Sequence, residues 1–121
     1  MKRILIFDTE DMQYLYRPMF KGKEDEYEIE FEEKGLAAFK RLKEASPDLV
    51  ILEILMEPMN GQKFYSLVRS DPEIGKVPIL VVSVLSPESL RHLKKFNEIE
   101  VLQKPVSEEQ LFNKIEKMIA K

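Results

Sequence analysis

Cysteine is absent from the 121 residues, so the chain has no disulfide, no thiol nucleophile and no cysteine-based metal site. No apolar stretch approaches the roughly 20 residues of a membrane span, and the opening MKRILIF is too short for a signal peptide. A cytoplasmic protein without a membrane partner is the expectation. Histidine occurs once, at His92, beside Lys94 and Lys95 and with no acid adjacent. Such a residue reads as a surface position rather than a general base. A basic excess is missing as well. Net charge is −3, which argues against direct contact with nucleic acid. No glycine-rich or Ser/Thr-rich phosphate loop follows an apolar run, which counts against a flavodoxin-like cofactor binder. Repeats, low-complexity tracts and linkers are also lacking, and the length suits one domain over residues 1–121.

What is present is a regular alternation of short apolar runs and amphipathic stretches. Its centre is DLVILEILMEPMNG, residues 48–61. Leu49 to Leu52 is unbroken and apolar, as in a strand buried on both faces. A carboxylate, Glu53, then falls where that strand ends. An unpaired buried carboxylate costs several kcal/mol, so Glu53 needs a partner.

Arg3 to Phe7 is a first strand, ending at Asp8-Thr9-Glu10-Asp11, whose acids suit the first turn of a helix. That helix carries Met12, Leu15, Tyr16 and Met19, and Pro18 predicts a kink or break near Arg17. In YEIEFE, Tyr27, Ile29 and Phe31 alternate with glutamates, which marks Tyr27 to Glu32 as an edge strand. Gly35 to Ser46 is a helix with Leu36, Phe39, Leu42 and Ala45 inward. Asn60 caps a third helix with Phe64, Leu67 and Val68 as its stripe. Pro78 opens the strand ILVVSVL, and Ser86-Pro87-Glu88 starts a short, weakly amphipathic helix. Ile99 to Gln103 is a fifth strand. Ser107 with Gln110 makes a capping box for a last helix bearing Leu111, Phe112, Ile115, Met118 and Ile119. Five strand–helix alternations predict a doubly wound α/β fold: a five-stranded parallel sheet, flavodoxin-like order 2-1-3-4-5, with helices on both faces.

Four polar residues then fall at strand carboxyl ends: Asp8, Glu53, Ser83 and Lys104. Ligands of open α/β sheets sit at that edge. Lys104 lies two strands from Glu53, about 10 Å across, a gap that a lysine and a glutamate stem can close.

These segments resemble the receiver domain of response regulators in two-component signalling, along the whole chain. ILIFDTE resembles the family's first strand and acidic pair, DLVILEILMEPMNG its phosphoacceptor segment, RSDPEIGKVPILVVS the approach to its hydroxyl, and VLQKP its Lys-Pro ending. The resemblance implies a phosphoacceptor position at Glu53, an acidic pocket of Asp8, Thr9 and Glu53, a switch pair at Ser83 and Val101, and a lysine at Lys104. It also implies Mg²⁺ held by Asp8, Glu53 and the Leu55 carbonyl, and a cis bond at Lys104–Pro105. A partner face would include Leu90, Leu93, Val101, Gln103 and Leu111, within residues 90–96 and 101–111.

The departures change what is expected. Glu53 stands for the family's Asp, one methylene longer, and a 1 Å misplacement can cost on the order of a hundredfold. Thr9 replaces a charged metal ligand, so no cofactor is required and Mg²⁺ binds weakly. Pro58 stands one place late, Val84 is bulky after the hydroxyl, and Val101 replaces the aromatic switch residue. The resemblance thus points to a degenerate receiver that is no enzyme and binds a signalling protein: a histidine kinase, an output domain or another regulator. The alternatives are a working phosphoacceptor using Mg²⁺, and a Glu53–Lys104 pair that serves stability alone.

Overall fold

The structure is a computed structural model that describes residues 1–57, 59–95 and 99–119. Five strands, β1 (Lys2–Phe7), β2 (Tyr27–Glu32), β3 (Leu49–Leu52), β4 (Ile79–Ser83) and β5 (Ile99–Gln103), form one sheet in the order β2-β1-β3-β4-β5. Every pairing is parallel, with Phe7 opposite Leu52 and Ser83 opposite Gln103 at the carboxyl ends. Three helices, α1 (Gln13–Phe20), α2 (Gly35–Ala45) and α3 (Gly61–Ser70), connect the first four strands, and α4 (Glu108–Ile119) follows β5. Order, direction and the edge position of β2 are as the alternation predicts.

The unbroken apolar runs of the sequence follow from burial on both sides. In β3, Val50 and Leu52 pack into one core with Ala38, Leu42, Phe64 and Val68, while Leu49 and Ile51 pack into the other with Tyr16, Phe20, Leu111 and Ile115. Helices α2 and α3 therefore cover one face and α1 and α4 the other. On β2 the apolar residues Tyr27, Ile29 and Phe31 lean on the α1/α4 core. Its glutamates pair outward, Glu28 with Arg3 at 3.6 Å and Glu32 with Arg41 at 3.1 Å.

Three expectations about helices need correction. Leu36 is 71% exposed rather than inward; Ala38 and Leu42 hold that face, with Phe39 half-buried beside them. Leu15 is 57% exposed, and the buried residues of α1 are Tyr16 and Phe20. A 3₁₀ turn at Glu10–Met12 precedes α1, and Met12 and Met19 lean on the same core as Tyr16 and Phe20. Nor does α1 break at Arg17: it runs through Pro18 to Phe20. Tyr16 and Phe20, buried on either side of the proline, hold the helix together where one backbone donor is missing.

The fourth predicted helix is a turn followed by a 3₁₀ helix at Arg91–Lys95. Its cap is made as expected, with the Ser86 hydroxyl oxygen accepting from Ser89 N–H at 3.2 Å. Asn60 likewise caps α3, accepting from Lys63 N–H at 2.8 Å. The Ser107–Gln110 box closes in both directions, at 2.9 and 3.1 Å. His92 is exposed, 3.1 Å from the Gln62 side chain.

Candidate functional site

The strand ends deliver one compact cluster. Glu53 follows β3 and its N–H donates to the Phe7 carbonyl at 3.0 Å, which continues the β1–β3 ladder and sets it beside Asp8. Asp8, Glu53 and Lys104 each extend the alternation of Ile4 and Ile6, Leu49 and Ile51, and Leu102, residues of the α1/α4 face. Behind Glu53 the chain turns sharply. Gly61 N–H donates to the Ile54 carbonyl at 2.7 Å, and a Cβ on Gly61 would fall on the Glu53 carbonyl and 2.6 Å from the Ile54 Cα. Glycine is required by that approach. Lys104 is placed by its own backbone, its N–H donating to the Ser83 carbonyl at 2.7 Å, and by a cis Lys104–Pro105 bond.

The Lys104 ammonium closes the cluster. Its Nζ lies 2.8 Å from Glu53 Oε1 and 3.1 Å from Asp8 Oδ2. The remaining carboxylate oxygens are also taken: Thr9 N–H donates to Asp8 Oδ1 at 2.7 Å and Leu55 N–H to Glu53 Oε2 at 3.1 Å. Asp8 and Glu53 are each 4% exposed. Two nearly dry carboxylates face one ammonium, an excess of one negative charge. Burial accordingly pushes the Asp8 carboxyl above its ordinary range, against the pull of Lys104 and the Thr9 N–H, while Glu53 adds to the rise.

Asp8 and Glu53 are the two carboxylates that the cluster offers a divalent cation. Magnesium wants near-octahedral oxygen ligands, and here two carboxylates have every oxygen engaged by a donor. Among the described residues no group of three or more Asp, Glu, His or Cys side chains is placed to hold a metal.

The other expected site residues are placed differently. Ser83 is buried, and its hydroxyl oxygen accepts from Leu85 N–H at 3.2 Å. Ser83 continues the Ile79–Val81 alternation of β4, and its carbonyl accepts the Lys104 N–H at 2.7 Å. Thr9 is exposed and contributes its backbone. Val101 is buried in the α2/α3 core.

The partner face needs correction. Leu90, Leu93, Val101 and Leu111 are buried, because their apolar side chains fill the two cores beneath that surface; Gln103 is exposed. Phe96 and Pro58 lie outside the described residues.

One residue of interest was missed. Tyr16 is 3% exposed and its hydroxyl has no hydrogen-bond partner among the described residues. Burial pushes its phenol up, and the nearby Asp8 and Glu53 carboxylates add to the rise. A tyrosine inside an apolar stripe is the signal, since buried hydroxyls need partners.

Comparison with known proteins gives the family and the fold. The family model for the response regulator receiver domain matches residues 4–116. The protein PilH of Pseudomonas aeruginosa is 26% identical over 121 residues, covering 99% of both chains. The sensor histidine kinase TmoS of Ectopseudomonas mendocina is 28% identical over 119 residues, 97% of this chain but 12% of that protein's length. Among solved structures, a putative response regulator from Chloroflexus aurantiacus superposes with a TM-score of 0.84 at 20% identity, covering 99% of this chain and 98% of that one. Among the described residues no helix is long and apolar enough to cross a membrane.

Proposed function

This chain belongs to the response regulator receiver domain family, and from that premise we propose that it is a degenerate, cytoplasmic receiver working by phosphorylation-independent binding of a signalling protein. The observation that carries the reading is the Lys104 ammonium, 2.8 Å from Glu53 and 3.1 Å from Asp8. In this reading the ammonium takes the charge-balancing role of a metal, and the Glu53 carboxylate stands permanently where a charged, modified side chain would otherwise appear. Neither Mg²⁺ nor a phosphodonor is needed, and no reaction is catalysed. The partner is a histidine kinase, an output domain or another regulator. Val101 supports this reading, since a buried valine offers no large ring to swing between two states.

The test is chemical. Wild type and Glu53→Asp are incubated with Mg²⁺ and acetyl phosphate, and intact mass is recorded. No phosphoryl gain on wild type is expected. A stoichiometric gain on wild type refutes the proposal and supports the second reading, a working phosphoacceptor. A gain confined to Glu53→Asp shows that the pocket keeps its chemistry apart from the acceptor.

A further inference from the structure

The main chain of β2 is divided between two sides. Lys2 N–H donates to the Glu26 carbonyl at 2.9 Å and Asp8 N–H to the Glu32 carbonyl at 3.2 Å. The evenly spaced bonds of a parallel ladder therefore turn the N–H and C=O groups of Glu28, Glu30 and Glu32 toward β1. Those of Ile29 and Phe31 point the other way, along an edge on which no further strand is laid among the described residues. Such a row of open groups is a template for another strand.

The two sides of that edge differ in chemistry. Toward α1 lies an open groove of about 790 Å³, with Met1, Pro18, Phe20, Tyr27 and Ile29 in its walls. Toward α2 the strand presents Glu28, Glu30 and Glu32. Among the described residues two arginines meet these three carboxylates, Arg3 at 3.6 Å from Glu28 and Arg41 at 3.6 Å from Glu30 and 3.1 Å from Glu32. Residues 24–33 hold seven acids and no base.

We propose that this edge binds an extended segment of a partner protein, laid against β2 as a sixth strand, in which lysines or arginines alternate with apolar residues. Main-chain bonds to Ile29 and Phe31 hold the segment. Strand alternation then sends its apolar side chains over the groove and its basic ones to the glutamates. The basic choice follows from the unbalanced acids, whose exposed ion pairs exchange cheaply. A second copy of this chain does not fit, because edge on edge would set glutamate against glutamate. Strands β2 and β5 are opposite edges of the sheet, so the proposal holds whether or not Glu53 accepts a phosphoryl group.

The test uses the full chain and a capped peptide, Lys-Val-Arg-Ile-Lys-Val-Arg-Ile. Its controls carry glutamate at every basic position, or the same residues with basic and apolar halves separated. Amide-shift NMR should give saturable shifts over Tyr27–Glu32 for the alternating peptide. At a peptide concentration about ten times its Kd, hydrogen exchange of the Ile29 and Phe31 amides should slow about tenfold, which a loosely held basic coat would not produce. The double variant Glu28→Lys/Glu30→Lys should weaken that peptide about fivefold at low salt and less at high salt. Unchanged exchange at Ile29 and Phe31 or equal binding of either control would overturn the proposal. So would shifts at β2 that grow with protein concentration in the absence of peptide, or no saturable shifts at all.

Discussion

The two faces of the sheet are built from the same kind of strand yet finished differently. On the α2/α3 face, Leu52, Phe64, Val68, Val81 and Leu93 are at most 1% exposed, and the Phe7 and Phe64 rings lie 4.7 Å apart. On the α1/α4 face, a short helix delayed by a 3₁₀ turn leaves a groove between α1 and the turn after β5, the exposed Leu15 and a Tyr16 hydroxyl without a partner among the described residues. All three charged residues of the strand-end cluster extend toward this second face. Both cores are dry, with Ile6, Leu49, Ile51, Leu80, Leu111 and Ile115 fully buried on the α1/α4 side, and the groove lined by Tyr16 and Lys104 opens on the side beside the charges. A close-packed interior has little room to accept a ligand or a new charge state, so function gathers where packing stops.

That contrast is open to direct attack, beginning with the largest effect. Phe64→Ala removes a fully buried ring from the filled face and should cost about 3–5 kcal/mol in urea unfolding, because the neighbours cannot collapse into the gap. A cost below about 1 kcal/mol would show that the face is not close-packed.

Lys104→Met comes next. It leaves Asp8 and Glu53 buried without their shared cation, and losing one partner of a buried pair costs about 3–5 kcal/mol. Lys104 is partly exposed, so the low end, about 3 kcal/mol at neutral pH, is expected. The loss should shrink as pH falls and the carboxylates take up protons. A pH-independent loss would mean that packing of the lysine stem, not charge, is what the substitution removes.

Asp8→Asn sharpens the electrostatic part. The folded protein holds the Asp8 proton above the ordinary value of 3.8, so it binds more protons than the unfolded chain in that window. The contribution of Asp8 to stability is therefore fully present below 3.8 and is lost as pH rises through the raised value. Thermal unfolding of Asp8→Asn from pH 3.5 to 7 should decline less with pH than wild type. Parallel curves would show that the Asp8 proton is not linked to folding.

The smallest effects fall at opposite ends of the scale of burial. Tyr16→Phe removes a buried hydroxyl that has no partner among the described residues and should raise stability slightly, by up to about 1 kcal/mol. Leu36→Lys, at a position 71% exposed, should change it by less than about 0.5 kcal/mol. A marked loss at Leu36 would mean that the expected inward stripe of α2 was right after all.

Much of the fold could be read from residue order. Leu49 to Leu52 cannot be unbroken and apolar unless both faces are covered, and YEIEFE cannot alternate unless one side is wet. The capping residues Asn60, Ser86 and Ser107 act over three residues, so local chemistry is enough to place them. The approach of Lys104 to Glu53 was legible because strand order fixes which ends are close and long stems bridge what remains. The exposure of Leu15 was not: Met12, Tyr16 and Met19 lean on the core as their spacing predicts, and nothing in that spacing separates Leu15 from them. The burial of Leu90 and Leu93 escaped because an apolar residue reads the same whether it fills a core or waits for a partner.

Alone, then, the sequence determined the class of fold, the order of its strands and the four polar residues at their carboxyl ends, because hydrophobic period and turn chemistry are properties of neighbours in the chain. Tertiary structure decided which of those four meet. The Lys104 ammonium meets Asp8 and Glu53, the Ser83 hydroxyl accepts from Leu85 N–H, and Tyr16, whose hydroxyl has no partner among the described residues, is buried near the two carboxylates. Those outcomes depend on register, helix rotation and the space left between packed elements, which are set by contacts between residues as far apart as Asp8 and Lys104.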